Sequence, residues 1–247
     1  MLEMTMTATV AKTQNMVEQA KQETKEIVPR KMPAIPIGTS CYFCLEEGLD
    51  DMGEPLLRDC SCHGDGVGFA HLSCMIKYAE QKSKEAAGKV PKSFSEPWYE
   101  CPNCKQCFKN ELLLDMSSAF ISFAESIYGH PGNSFHEKVL VMTALRHKIV
   151  TIVKLMTQYL RNNDNTVTSV DMMVKVPVNE GKILSKNVLA MVEKVKKEEM
   201  MKSFQYKALR VDYEARTYCY LAMLNSDNSE EYIACYKKAQ KFMIHWE

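Results

Sequence analysis

Between Cys41 and Cys104 the chain sets out eight thiol and imidazole side chains in four close pairs: Cys41-x2-Cys44, Cys60-x-Cys62, His71-x2-Cys74 and Cys101-x2-Cys104. Nothing else in the sequence constrains the fold as strongly. Each short pair can form a turn whose backbone N–H groups point at thiolate sulfur, and zinc takes four such ligands in a tetrahedron. One ion uses two pairs, so four pairs imply two structural Zn2+ ions. Each ion would already have four protein ligands and no open position for water, which argues against a hydrolytic zinc enzyme. The remaining candidates read differently. His63 abuts Cys62, so its side chain leaves the opposite side of the turn, and Cys107 reads as packing although it forms a second Cys-x2-Cys with Cys104. Cys219 and Cys235 read as small buried hydrophobes.

The whole chain limits what such a module can serve. Its 247 residues are enough for one large domain or two small ones, and 46% hydrophobic with 25% charged residues is ordinary for a globular protein with a core. Lys plus Arg equals Asp plus Glu at 31 each, so no overall basic field draws the chain to nucleic acid. No apolar run approaches the roughly 20 residues that span a bilayer, and the start lacks a basic-then-apolar signal pattern. Paired thiols without an export signal are expected to hold zinc in a reducing compartment, cytoplasmic or nuclear, in a soluble protein.

The order of ligands, four Cys, one His and three Cys, occurs in PHD-type histone readers, but those space the second pair as Cys-x2-Cys with a short gap before the His. Here that pair is Cys60-x-Cys62, with eight residues before His71. The run Asp59-Cys60-Ser61-Cys62-His63-Gly64 and then His71-Leu72-Ser73-Cys74 resembles the C-x-C-x-G and H-L-S-C signatures of the RING-CH (RING-variant) zinc finger of ubiquitin ligases. The resemblance covers residues 39 to 108. It implies an interleaved cross-brace, with Cys41, Cys44, His71 and Cys74 on one zinc and Cys60, Cys62, Cys101 and Cys104 on the other. It also implies a face for a ubiquitin-conjugating enzyme at Phe43, Tyr78, Pro102 and Lys105. Tyr78 stands where the family usually has Trp, and Lys105 where ligases often place an Arg; lysine offers a point charge and no planar fork.

Around this module the chain divides into a disordered tail or linker (1–38), the finger (39–108) and an α-helical region (111–247). Prolines 29, 33 and 36 favour an extended lead-in. A helix is expected from Leu72, with Met75, Tyr78 and Ala79 on one face and Gly88 as its cap. A flexible return follows, and Trp98 is expected to pack on the zinc core. Beyond the finger, Leu113, Met116, Phe120, Phe123 and Ile127 form one helical stripe, and Met142, Leu145, Ile149, Val153, Met156 and Leu160 a second, opened by the capping box Ser134-x-x-Glu137. Leu184, Val188, Met191 and Val195 begin a third helix. Phe204, Ala208, Val211, Ala215, Tyr218 and Ala222 stripe a fourth, and Ile233, Tyr236, Ala239 and Met243 a fifth. The last two resemble a tetratricopeptide (TPR) unit, Tyr236 and Ala239 standing at its F/Y-x-x-A positions; a plain helical hairpin gives similar patterns.

The expected fold is therefore α-rich, with a small N-terminal zinc-stabilised cross-brace domain followed by a TPR-like helical array. The expected function is a soluble ubiquitin ligase. Its finger positions a charged ubiquitin-conjugating enzyme, without covalent chemistry of its own, while the helices bind the protein substrate and offer a surface for self-association. A scaffold whose finger only stabilises the fold is the alternative. A chromatin reader would need an aromatic cage, which Tyr42, Phe43 and Trp98 offer, but the spacing of the second pair opposes it.

Overall fold

The computed structural model describes residues 35–58, 60, 62, 68–86, 94–129, 135–162, 177–197, 204–225 and 228–243. Most of the expected tail, His63, Gly64, Gly66, Gly88, Ser134 and the final Trp246-Glu247 lie outside them. Among the described residues six helices run in chain order: α1 Leu72–Glu85, α2 Asn110–Tyr128, α3 Phe135–Asn162, α4 Val178–Lys197, α5 Phe204–Leu224 and α6 Ser229–Met243. A short 3-10 turn, Glu96–Trp98, precedes the last ligand pair. Among the described residues the finger has no extended sheet, only isolated antiparallel bridges such as Leu57 with Ala70 and Glu100 with Cys107. None of these helices is long and apolar enough to cross a membrane.

Each helix forms where the apolar spacing asks for one. On α2, Leu113, Met116, Phe120 and Phe123 are buried on one side, as their three- and four-residue spacing requires. The stripe of α3 is wider: Val139, Ile149, Ile152 and Val153 are buried with Leu145 and Met156, because this helix lies between α2 and α4. Helix α4 starts directly after Pro177, which has no N–H to leave unpaired at a helix start. A Cβ on Gly181 would lie 3.0 Å from Leu224 Cδ1 and 3.2 Å from Ile152 Cγ2, so glycine permits α4 to sit tightly against α3 and α5. Polar links add register. The Thr143 hydroxyl meets Tyr213 Oη at 2.7 Å, and Lys148 pairs with Glu180 at 2.5 Å. Successive helices pack on one another from α2 to α6.

Two expectations are corrected here. Trp98 shares one buried cluster with the zinc ligands, but its ring contacts are to the helices. Its ring stacks on Phe120 of α2 at 5.1 Å between centroids and 13° between planes, and its Nε1–H donates to Ser83 Oγ at 2.8 Å. Ser83 passes the bond on to the Phe94 carbonyl, while the Phe94 ring packs against Phe120, Phe123 and Tyr128. The long connection between the third and fourth ligand pairs thus joins the finger to the helices, and one buried cluster runs from Cys41 to Leu224. The stripe on α6 also fails to turn inward. Ala239 is fully buried, but Ile233 and Tyr236 are 48% and 44% exposed, because among the described elements α6 packs chiefly on α5.

His147 of α3 closes the same junction, stacked on Tyr99 of the finger at 4.9 Å and edge-on to Phe120. Burial, with smaller contributions from Arg146 and Lys154, pulls its pKa from the ordinary 6.5 to about 4. The unfolded chain therefore takes up this proton first as pH falls. Stability from the neutral ring is complete above pH 6.5 and is lost on the way down to about pH 4. His147→Phe is expected to remove about 3 kcal/mol of the stability lost on acidification through that window, read from denaturant unfolding at stepped pH. Trp98→Ala should lower unfolding free energy by about 3 kcal/mol or more, without loss of bound zinc.

Candidate metal centre

The ligand pairs are built as turns. In the first, Leu45 N–H donates to the Cys41 carbonyl at 2.9 Å and Cys41 N–H to the Glu46 carbonyl at 2.8 Å. The Cys101 turn repeats the pattern, Lys105 N–H to Cys101 O at 3.0 Å and Cys101 N–H to Gln106 O at 2.9 Å. Closing them this way puts Leu45 and Lys105 in the left-handed region, at φ 66° and 58°. That conformation disfavours side chains by roughly 1–2 kcal/mol. Nothing in the residue types announced it, since neither position is glycine or asparagine.

The two turns reach their partners through the segment that leads into α1. Tyr42 N–H donates to Phe69 O at 2.9 Å, and Leu57 and Ala70 exchange both backbone bonds at 2.8 and 3.0 Å. Gly68, at φ 80°, lies against the second Cys pair: a Cβ there would meet Cys62 Cβ at 2.6 Å and Cys60 Sγ at 3.4 Å. Its role is therefore to let the chain pass beside the thiols.

Two four-residue clusters result, Cys41, Cys44, His71 and Cys74, and Cys60, Cys62, Cys101 and Cys104, with all ligand atoms of each within 4.8 Å of one another. A tetrahedral zinc with Zn–S bonds of about 2.3 Å needs sulfurs roughly 3.8 Å apart. Cys62 and Cys101 stand 3.7 Å apart, and His71 Nδ1 lies 3.5 Å from Cys44 Sγ and 3.9 Å from Cys74 Sγ. The donor sets fit two structural zinc ions. The interleaved pairing, first with third and second with fourth, is present.

Electrostatics supports the same fit. Burial, reinforced by the neighbouring Cys41, pushes Cys74 up to about 12, and burial likewise raises Cys60 and Cys62. Burial opposes the charged form of Cys41 too, but donors from Cys44, His71 and Phe43 outweigh it and bring this thiol down to about 7. Thiolates crowded this closely share one cluster stably when a cation balances them.

A second layer of contacts orients the ligands. His71 is fully buried and its Nε2–H donates to Gly48 O at 3.3 Å, which leaves Nδ1 as the metal-facing nitrogen. Phe43 N–H and Asn103 Nδ2–H donate to Cys41 and Cys62 sulfurs at 3.4 and 3.5 Å. Asp50 accepts from Met52 and Glu54 N–H at 2.9 Å and from Ser73 Oγ at 2.6 Å, tying the first loop to α1. The Ser73 bond leads in holding its carboxyl below the usual range. Sequence reading missed Asp50 and Asn103; the acid-x-x-x-acid spacing Asp50 to Glu54 resembles any solvated loop.

Residues 41–107 match the family model described as the RING-variant domain. This segment is a RING-variant domain. No curated protein and no solved structure matches the chain. Within the RING-variant domain, Cys107 stands outside both clusters, as expected, but it is exposed and does not pack as the sequence suggested, because the turn after Cys104 faces solvent. Cys219 and Cys235 are half-buried, each with its thiol raised first by burial. Phe43 and Tyr78 touch, with ring centroids 5.1 Å apart. Phe43 and Pro102 line one surface cleft together with Tyr42, Leu57, Asn103 and Leu112. Lys105 is exposed at the end of the second turn.

Cys62→Ala is expected to reduce bound zinc from two ions to one or none and unfold the finger, while Cys107→Ala keeps both. Gly68→Ala should behave like a partial Cys62→Ala, losing zinc to a chromogenic chelator at least several-fold faster than the unsubstituted chain.

Proposed function

We propose that the protein is a ubiquitin ligase whose RING-variant domain docks a ubiquitin-conjugating enzyme on the Phe43, Tyr78, Pro102 and Lys105 face. The observation that carries this reading is the apolar cleft between the two metal turns, lined by Phe43 and Pro102 and backed by the Phe43–Tyr78 contact. The cleft is small, about 20 Å³, and reaches the ligands Cys60 and Cys101, so it would take only the tip of one apolar side chain from a partner. The domain contributes by holding the charged conjugate in a reactive pose, so the gain is one of positioning, and both ions stay structural. Lys105, exposed and single-headed, would contribute a charge contact to ubiquitin in place of a bidentate one. The α2–α6 array, read as a TPR-like stack, would select the protein substrate by a groove contact.

A non-enzymatic scaffold is the second reading. It is favoured by the shared core at Phe94, Trp98 and Phe120, which makes the finger a structural end of the helical array.

Discharge of ubiquitin from a panel of charged conjugating enzymes separates the two. The ligase reading expects discharge by the two-zinc protein and a loss of about tenfold or more in Phe43→Ala at unchanged zinc content. No discharge across the panel would leave the scaffold.

A further inference from the structure

Helix α6 carries an apolar stripe that faces solvent: Tyr232, Ile233 and Tyr236 are 40%, 48% and 44% exposed, and the two tyrosine rings lie parallel at 6.0 Å. Grouped exposed apolar side chains of this size mark a contact surface. Its charges indicate the occupant. Glu230 and Lys237, both exposed, are seven residues apart, two turns or about 10 Å along the axis, so they sit one above the other beside Ile233. The helix is thus acidic at one end of the stripe and basic at the other.

We propose that this face binds the same face of a second copy, with the two α6 helices antiparallel about a two-fold axis level with Ile233 and Ala234. That axis sets Glu230 level with Lys237 and brings the other pairs to within about one 1.5 Å rise of level. Tyr232 of each copy lies opposite Tyr236 of the other, Ile233 meets its own counterpart, and Glu230 faces Lys237 twice. Antiparallel helices bring edges of the same side together, so the charged edge beside Ile233 meets itself in reverse order and opposite charges coincide. Asn228 caps the helix through the backbone N–H groups of Glu230 and Glu231 at 3.2 Å, which leaves both glutamate side chains out of the cap. Lys238 is directed elsewhere, over the Tyr218 ring at 5.4 Å. The dimer would carry two RING-variant domains, and the inference is independent of whether these act as ligases.

Sedimentation velocity on the full zinc-loaded chain, from low to high micromolar concentration, tests it. The unsubstituted protein is expected to shift from monomer to dimer. Glu230→Lys and Lys237→Glu should each weaken dimerisation about tenfold, since each sets like charges opposite one another at both ends. An equimolar mixture of the two variants should recover it, because every pair is then opposite in charge. Ile233→Glu should remove it, with helix content by circular dichroism unchanged because the side chain is exposed. A chain that stays monomeric throughout, or charge variants that dimerise as the parent does and gain nothing on mixing, would overturn the proposal.

Discussion

Neither metal cluster can close until distant parts of the chain have met. Each draws one pair from the first part of the finger and one from after the Phe69–Ala70 crossing, so two ions tie together four segments that share almost no regular secondary structure. Local geometry gives way to this requirement. Leu45 and Lys105 accept left-handed backbone so that their turns close, and Gly68 passes where no side chain fits. Helix α1 begins at His71, whose imidazole is committed to the metal and makes no side-chain cap. The direction of α1, and with it the place of Tyr78 beside Phe43, follows from a ligand.

The finger is then fixed to the helices by residues that carry no metal. Ser83, Phe94 and Trp98 lie on α1 and on the connection to the fourth pair, and together they lock that connection onto α2 through a hydrogen-bond chain and a stacked ring. Tyr99 against His147 extends the contact to α3. The apolar cleft shares this support: Leu112 at the start of α2 lines it alongside Phe43 and Pro102. Its orientation relative to the helical array is therefore set by packing within one core.

Much of the architecture was legible from local pattern. Stripes such as Met116, Phe120 and Phe123 recur at the helical period and are buried as their period implies. The ligands were legible because metal chemistry admits few residue types at few spacings. Their partition between ions came from likeness to a family, and the clusters agree with it. Periodicity located α6 correctly yet put Ile233 and Tyr236 on an inward face, because it shows which side of a helix is apolar and is silent on whether a neighbour covers that side.

By itself, then, the sequence determined the eight zinc ligands and the places where helices run, since thiol spacing and apolar period act over a few residues. Tertiary structure alone decided that Trp98 stacks on α2, that Gly181 admits two neighbouring helices, and that Asp50 anchors a loop to α1. Each of these depends on which atoms stand opposite across the fold, and a partner remote in the chain leaves no mark on its own neighbourhood.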